Sequence, residues 1–191
     1  MKLSSFFGLS FVFVGFILAS PAFADNPPTS SPPSQPAPKI YAKVYGSWVY
    51  RCVEAAKPDG HPATSCQVFQ NMGVKKDNHV VSLSVLSFAK STDHPGYDLS
   101  AIVPLGVVLP AGISFSADDM SPITKGVEFC QTTGCVVVPQ SASGLTEEFE
   151  QGKVGHLTFM LLNGRPFTIN FSLDGFESAI KALNSGVSPK T

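Results

Sequence analysis

The chain has 191 residues, with 13 Lys and Arg against 14 Asp and Glu, 43% hydrophobic residues, and 16 each of Gly and Pro. These are the proportions of an ordinary globular protein, neither disordered nor collagen-like. No block of like charge is long enough to track a phosphate backbone, which argues against a nucleic-acid partner.

Residues 1–24 read as a signal peptide. Lys2 supplies a basic start, residues 6–18 form an apolar stretch of 13, and Ala22-Phe23-Ala24 is an A-x-A cleavage site. Thirteen residues fall short of the roughly 20 that span a bilayer, and Pro21 ends the helix. The first cysteine is Cys52, too late for a lipoprotein anchor, and no later segment reads as a membrane span. Cleavage after Ala24 leaves 167 residues with twelve bases and 14 acids, a net charge of −2, and one domain's worth of core. Export to the periplasm, the outer membrane or the cell surface follows from the leader. Residues 25–39 then read as a disordered linker, because six Pro within residues 26–38 and no apolar side chain larger than Ala cannot offset the entropy of ordering. The domain is expected over residues 40–186, with a disordered tail at 187–191.

Within that domain the pattern is β. Trp48, Tyr50 and Cys52 alternate with Val49, Arg51 and Val53, the period of a half-buried strand. A short strand is expected over residues 66–70. Val81, Leu83 and Val85 share one face before Leu86 and Phe88 switch phase, which predicts a bulge or a change of partner. Strands over 99–103, 107–109 and 113–115 are punctuated by Pro104-Leu105-Gly106 and Pro110-Ala111-Gly112. Residues 127–130 and 135–138 flank a four-residue connection and predict a hairpin. Leu157, Phe159 and Leu161 alternate into Asn163-Gly164 and out through Phe167, Ile169 and Phe171, a hairpin with the pair favoured in type I′ turns. Two helices are expected. One spans residues 145–151. The other opens on a capping box formed by Asp174 and Glu177 and runs through Leu183, with Phe176, Ala179, Ile180 and Leu183 as its apolar face. Many short strands with few helices predict an all-β, immunoglobulin-like antiparallel β-sandwich with one helix near the C-terminus.

Cys52, Cys66, Cys130 and Cys135 allow three pairings, and an exported chain with an even count is expected to oxidise them. The expected disulfides are Cys52 with Cys66 and Cys130 with Cys135, the second bracketing a hairpin whose facing residues lie within bridging distance. Neither pair has the C-x-x-C spacing of a redox motif, and the spacings match no zinc site.

The chain contains no nucleophile elbow, P-loop, dinucleotide fingerprint, zincin motif or EF-hand loop. Asp118-Asp119 and Glu147-Glu148 are adjacent acids, which point to different sides of a strand or helix and do not form a two-carboxylate site. His61 and His94 each precede Pro in loop-like segments, His79 flanks a strand, and His156 opens the strand into the Asn-Gly hairpin. No catalytic residue, cofactor or metal site is expected.

Several dispersed features combine into a recognisable set. They are Trp48 with Cys52 and Cys66, then Val103-Pro104-Leu105-Gly106-Val107 followed by Leu109-Pro110-Ala111-Gly112-Ile113. Phe129-Cys130 with Gly134-Cys135, and Ser172-Leu173-Asp174-Gly175-Phe176 before Ala179 and Leu183, complete the set. Together these features resemble the invasion-associated locus B family of exported Gram-negative bacterial proteins, over roughly residues 48–183. The resemblance implies an immunoglobulin-like sandwich and, in some relatives, a role linked to invasion of host cells; it supplies no active site.

The expected function is therefore a non-enzymatic envelope or surface-associated protein that binds a protein partner in the envelope or on a host cell. Binding is expected at loops 57–64, 91–97 and 118–125. The alternatives are a periplasmic housekeeping or chaperone-like factor working by strand addition, and a hydrolase built on His156 or His61.

Overall fold

The computed structural model describes residues 37–57, 61–76 and 79–187. The leader, most of the Pro-rich segment and the last residues of the tail lie outside them. Two antiparallel sheets form a sandwich-like arrangement. The larger is built from β1 (Lys39–Tyr45), β2 (Trp48–Ala56), β3 (Pro62–Lys76), β4 (His79–Lys90), β5 (Tyr97–Val103), β8 (Phe129–Gln131) and β9 (Gly134–Ser141), ordered β1-β2-β3-β4-β5-β9-β8. The smaller is built from β6 (Ile113–Ala117), β7 (Ile123–Lys125), β10 (Val154–Met160) and β11 (Pro166–Ser172), ordered β11-β10-β6-β7. Two helices, α1 (Leu145–Gln151) and α2 (Phe176–Ser185), complete the fold. α2 packs on β1 to β4 and on α1, and α1 packs on β6.

Alternation places one face of each sheet in the core. Trp48, Tyr50 and Cys52 of β2 are buried, as are Val68 and Met72 of β3, Leu86 and Phe88 of β4, and Leu99, Ala101 and Val103 of β5. At the centre, Trp48 meets Phe88, Phe171 and Phe176 edge-on, with ring centroids 6.0, 6.2 and 4.7 Å away. Its indole N–H donates to the Ser172 carbonyl at 3.2 Å, so the one polar atom of the largest core side chain is satisfied. Phe176, Ala179, Ile180 and Leu183 of α2 are all buried, as the i, i+3, i+4, i+7 spacing requires.

Cys52 is joined to Cys66 and Cys130 to Cys135. Both pairs face each other directly in the ladders, β2 against β3 and β8 against β9. Closing the 52–66 ring removes about 3 kcal/mol of unfolded-chain entropy and the 130–135 ring about 2.

The structure differs from the sequence reading at several elements. β1 and β7 are strands that the pattern did not announce, and β3 extends well beyond residues 66–70. Residues 107–109 form no strand: Val107 makes a single bridge to Leu161, and Leu109–Ala111 is a 3₁₀ turn, because Pro110 cannot donate to a ladder. β4 carries a bulge at Leu83, where Met72 faces Ser84 and Gly73 faces Ser82, but the step from Val85 to Leu86 is regular alternation, with Val85 on the outer face and Leu86 in the core. The hairpin between β8 and β9 turns on Thr132 and Thr133 alone. At the β10–β11 hairpin, the Gly164 N–H donates to the Leu161 carbonyl and the Leu161 N–H to Arg165, at 2.9 Å each. Only Gly164 has positive φ (+77°) there, so the loop is a three-residue turn ending in a left-handed glycine rather than a type I′ pair.

α2 is not opened by a capping box. Its N-cap is Gly175, at φ +84°, with no side-chain cap. A Cβ on Gly175 would overlap the Tyr45 carbonyl, and one on Gly46 would overlap Asp174. The Ser47 N–H donates to the Asp174 carbonyl at 3.0 Å. The start of α2 is thus clamped against the β1–β2 turn, and this contact, not local side-chain capping, sets where the helix begins.

Candidate functional site

α1, α2 and the four-stranded sheet cover one face of the larger sheet, and among the described residues no helix or strand covers the other. The side chains that alternate with the core residues point there. Register aligns them in rows: Asn71, Val85, Ile102 and Val136 run across β3, β4, β5 and β9, and Val49, Phe69, Ser87 and Ser100 run beside them. Except for Val49, these residues line, together with Arg51 and Val138, a concavity of about 440 Å³. Its floor is aliphatic and aromatic and its edges carry amides, hydroxyls and one cation. The Arg51 guanidinium lies 4.9 Å from the Phe69 ring centroid, a cation–π contact that holds the long side chain along the sheet. Its Nε is sheltered from solvent and has no hydrogen-bond partner among the described residues.

A second hollow of about 430 Å³ shares Ser100 and Pro139 with the first and continues the groove toward the β4–β5 loop. Lys90, Asp93, His94 and Asp98 stand at that end. His94 Nε2 lies 2.8 Å from Asp98 Oδ1 and Nδ1 lies 3.0 Å from the Pro95 carbonyl. An acceptor near each ring nitrogen favours the protonated imidazole. The Pro95 carbonyl first, then the Asp98 hydrogen bond and charge, raise its pKa above the ordinary histidine value. A histidine so engaged has both ring nitrogens occupied by neighbours.

The other histidines are dispersed. His156 sits on the solvent face of β10, its Nδ1 2.8 Å from Asn170 Oδ1, with Ser116 as its register neighbour on β6. That face pairs its own hydroxyls, Ser114 with Thr124 at 2.9 Å and Thr158 with Thr168 at 2.8 Å. His61 lies in the β2–β3 loop, where its carbonyl accepts from the Lys57 N–H at 2.9 Å, and His79 begins β4. Among the described residues no group of three His, Cys, Asp or Glu is gathered for a metal, and no helix is long and apolar enough to cross a membrane.

Of the three loops expected to bind, part of 57–64 lies outside the described residues. Strand direction puts 57–64 and 91–97 at the same end of the larger sheet. Segment 118–125 belongs to the smaller sheet and is partly strand β7. Asp118 is structural: at φ +46° its carboxylate accepts the Lys153 and Val154 N–H groups, which lower its pKa. The 91–97 loop adjoins the groove through Thr92, Asp93 and His94. Sequence reasoning missed the groove because its residues are the mixed polar and apolar outer positions of five strands. The one local signal was the run Cys135-Val136-Val137-Val138, apolar on both faces of a strand.

The comparisons with known proteins agree with this architecture. The crystal structure of invasion associated protein b from Bartonella henselae is similar, with a TM-score of 0.61 at 19% identity over 75% of this chain and 96% of that one. No curated protein matches the chain. Residues 48–184 match the family described as Invasion associated locus B (IalB) protein, the span that holds both disulfides, both helices and the groove. The chain belongs to the invasion associated locus B family.

Proposed function

We propose that the mature protein is an exported, non-enzymatic binding module of the envelope or cell surface, and that it contributes to host-cell invasion or envelope interactions by holding a protein partner in the groove of the larger sheet. The observation that carries this reading is the groove itself: an apolar floor built on rigid strands, flanked by Arg51 and, at its far end, by the His94–Asp98 pair. Such a surface buries apolar side chains of a partner while its polar edges fix orientation. A non-enzymatic role is supported by His94, engaged at both ring nitrogens, and by His156, placed on an open face that pairs its own hydroxyls.

The test is binding of labelled mature protein to cultured host cells and to isolated bacterial envelopes. Ile102→Asp puts a charge in the middle of the floor and is expected to weaken binding at least tenfold, while His156→Ala on the other sheet leaves it unchanged. Equal binding by the two variants would remove the groove as the site. Protease treatment of intact bacteria assigns the compartment: cleavage supports direct contact with a host, and protection until the outer membrane is opened supports a periplasmic role.

A further inference from the structure

We infer that β1 is a homodimerisation edge, on which a second copy of this chain adds its own β1 in antiparallel register centred on Ala42. β1 is the terminal strand of the seven-stranded sheet, seven residues long, with Ile40 58% and Val44 67% exposed. Among the described residues its far edge meets no other strand, whereas the opposite edge, β8, has three residues and is stapled by Cys130–Cys135. A long, regular, Pro-free edge with exposed β-branched side chains is a template for another strand.

Parity settles which backbone groups are on offer. Tyr45 faces Trp48 across a two-residue turn, so that pair is hydrogen-bonded, and so, at every second step, are Lys43 with Tyr50, Tyr41 with Cys52 and Lys39 with Glu54. The N–H and C=O groups of Ile40, Ala42 and Val44 therefore point away from β2. The same parity makes Cys52–Cys66 a non-hydrogen-bonded pair, in keeping with its Cα separation of 4.0 Å.

The sequence Lys39-Ile-Tyr-Ala-Lys-Val-Tyr45 is complementary to its own reverse. Centred on Ala42, Ile40 faces Val44 of the second copy, Lys39 faces Tyr45, Tyr41 faces Lys43, and Ala42 faces itself. The outward groups of Ile40, Ala42 and Val44 then all find partners. The apolar pairs lie on one face, and the other alternates cations with aromatic rings, the combination already present within the strand where Lys43 Nζ lies 5.0 Å from the Tyr45 ring centroid. A slip of the centre by one residue either way preserves backbone parity but sets lysine against lysine, Lys39 on Lys43 or Lys43 on itself. Pro38, which has no N–H, and the turn at Gly46-Ser47 end the ladder on either side. These features specify one register and an isologous two-fold pair. Its axis is perpendicular to the sheet, so the grooves of both copies face the same side and can engage one surface together.

The test uses the mature protein with its native disulfides formed. Sedimentation velocity is expected to show a concentration-dependent dimer. Ala42→Pro, which deletes only outward-pointing N–H groups, is expected to weaken it at least tenfold while leaving the unfolding transition of the monomer unchanged. Ala42→Cys is expected to cross-link to itself under mild oxidation at least tenfold faster than Ile40→Cys or Val44→Cys alone, whose copies lie about 13 Å apart in this register. Ile40→Cys mixed with Val44→Cys is expected to cross-link readily. A monomer at every concentration up to about 1 mM, where association is no stronger than about −4 kcal/mol, would overturn the inference. So would equal cross-linking at all three positions, or a dimer that Ala42→Pro leaves intact; should that variant fail to fold, the cross-linking decides.

Discussion

Replacing Phe176 tests whether α2 is held by the aromatic cluster that joins it to both sheets. The side chain is fully buried, with its ring centroid 4.7 Å from Trp48, 5.0 Å from Phe88 and 5.5 Å from Phe149, each contact edge-on. Phe176→Ala removes the buried ring and leaves a cavity among rigid neighbours, a loss of about 3–5 kcal/mol. Phe176→Leu keeps most of the apolar volume but forfeits three edge contacts worth at least about 0.5 kcal/mol each, for a loss of about 1.5–2.5 kcal/mol. For a domain of this size, about 4 kcal/mol lowers Tm by roughly 8–16 °C. Urea titration followed by Trp48 emission measures both variants, since Trp48 is the sole tryptophan and touches the mutated ring; far-UV circular dichroism checks that the same transition is observed. A loss below about 1 kcal/mol for Phe176→Ala, or a Leu variant as damaged as the Ala variant, would refute the reasoning.

Two further outcomes are expected. Gly175→Ala is predicted to cost at least about 2 kcal/mol, because a left-handed backbone and overlap with the Tyr45 carbonyl act together, whereas Gly96→Ala, at φ +102° with nothing nearby, costs only the backbone share of about 1 kcal/mol; equal Tm values for the two would remove the clamp between α2 and the β1–β2 turn. His94 is predicted to titrate by NMR above 6.5, and since its folded pKa is raised, its contribution to stability is complete below pH 6.5 and fades as pH rises through the folded value; a midpoint at or below 6.5, or the same pH dependence in His94→Gln, would contradict the bonding at both ring nitrogens.

Much of the fold was legible in the chain because alternation and helical spacing are local. Trp48, Tyr50 and Cys52 announce the inward face of β2, and the spacing of Phe176, Ala179, Ile180 and Leu183 announces the buried face of α2. The apolar pair Val85-Leu86 instead reports a strand apolar on both faces, and the β4 bulge lies upstream at Leu83. Where the reading failed, a distant partner outweighed the local signal. Asp174 and Glu177 have the spacing of a capping box, yet Asp174 is held by the β1–β2 turn and Gly175 takes the cap. Lys39-Ile-Tyr-Ala-Lys-Val-Tyr45 alternates weakly, because at the edge of a sheet both faces of a strand are largely wet.

By itself the amino-acid sequence determined the β class, the positions of the turns and the inward side chains of most strands, since steric preference and burial period act over a few residues. The groove was decided only by tertiary structure. Arg51, Phe69, Val85, Ile102 and Val136 come from five strands, and their alignment depends on register set by long-range pairing and on which face the helices happen to cover. Neither is recorded in the local pattern of any one strand.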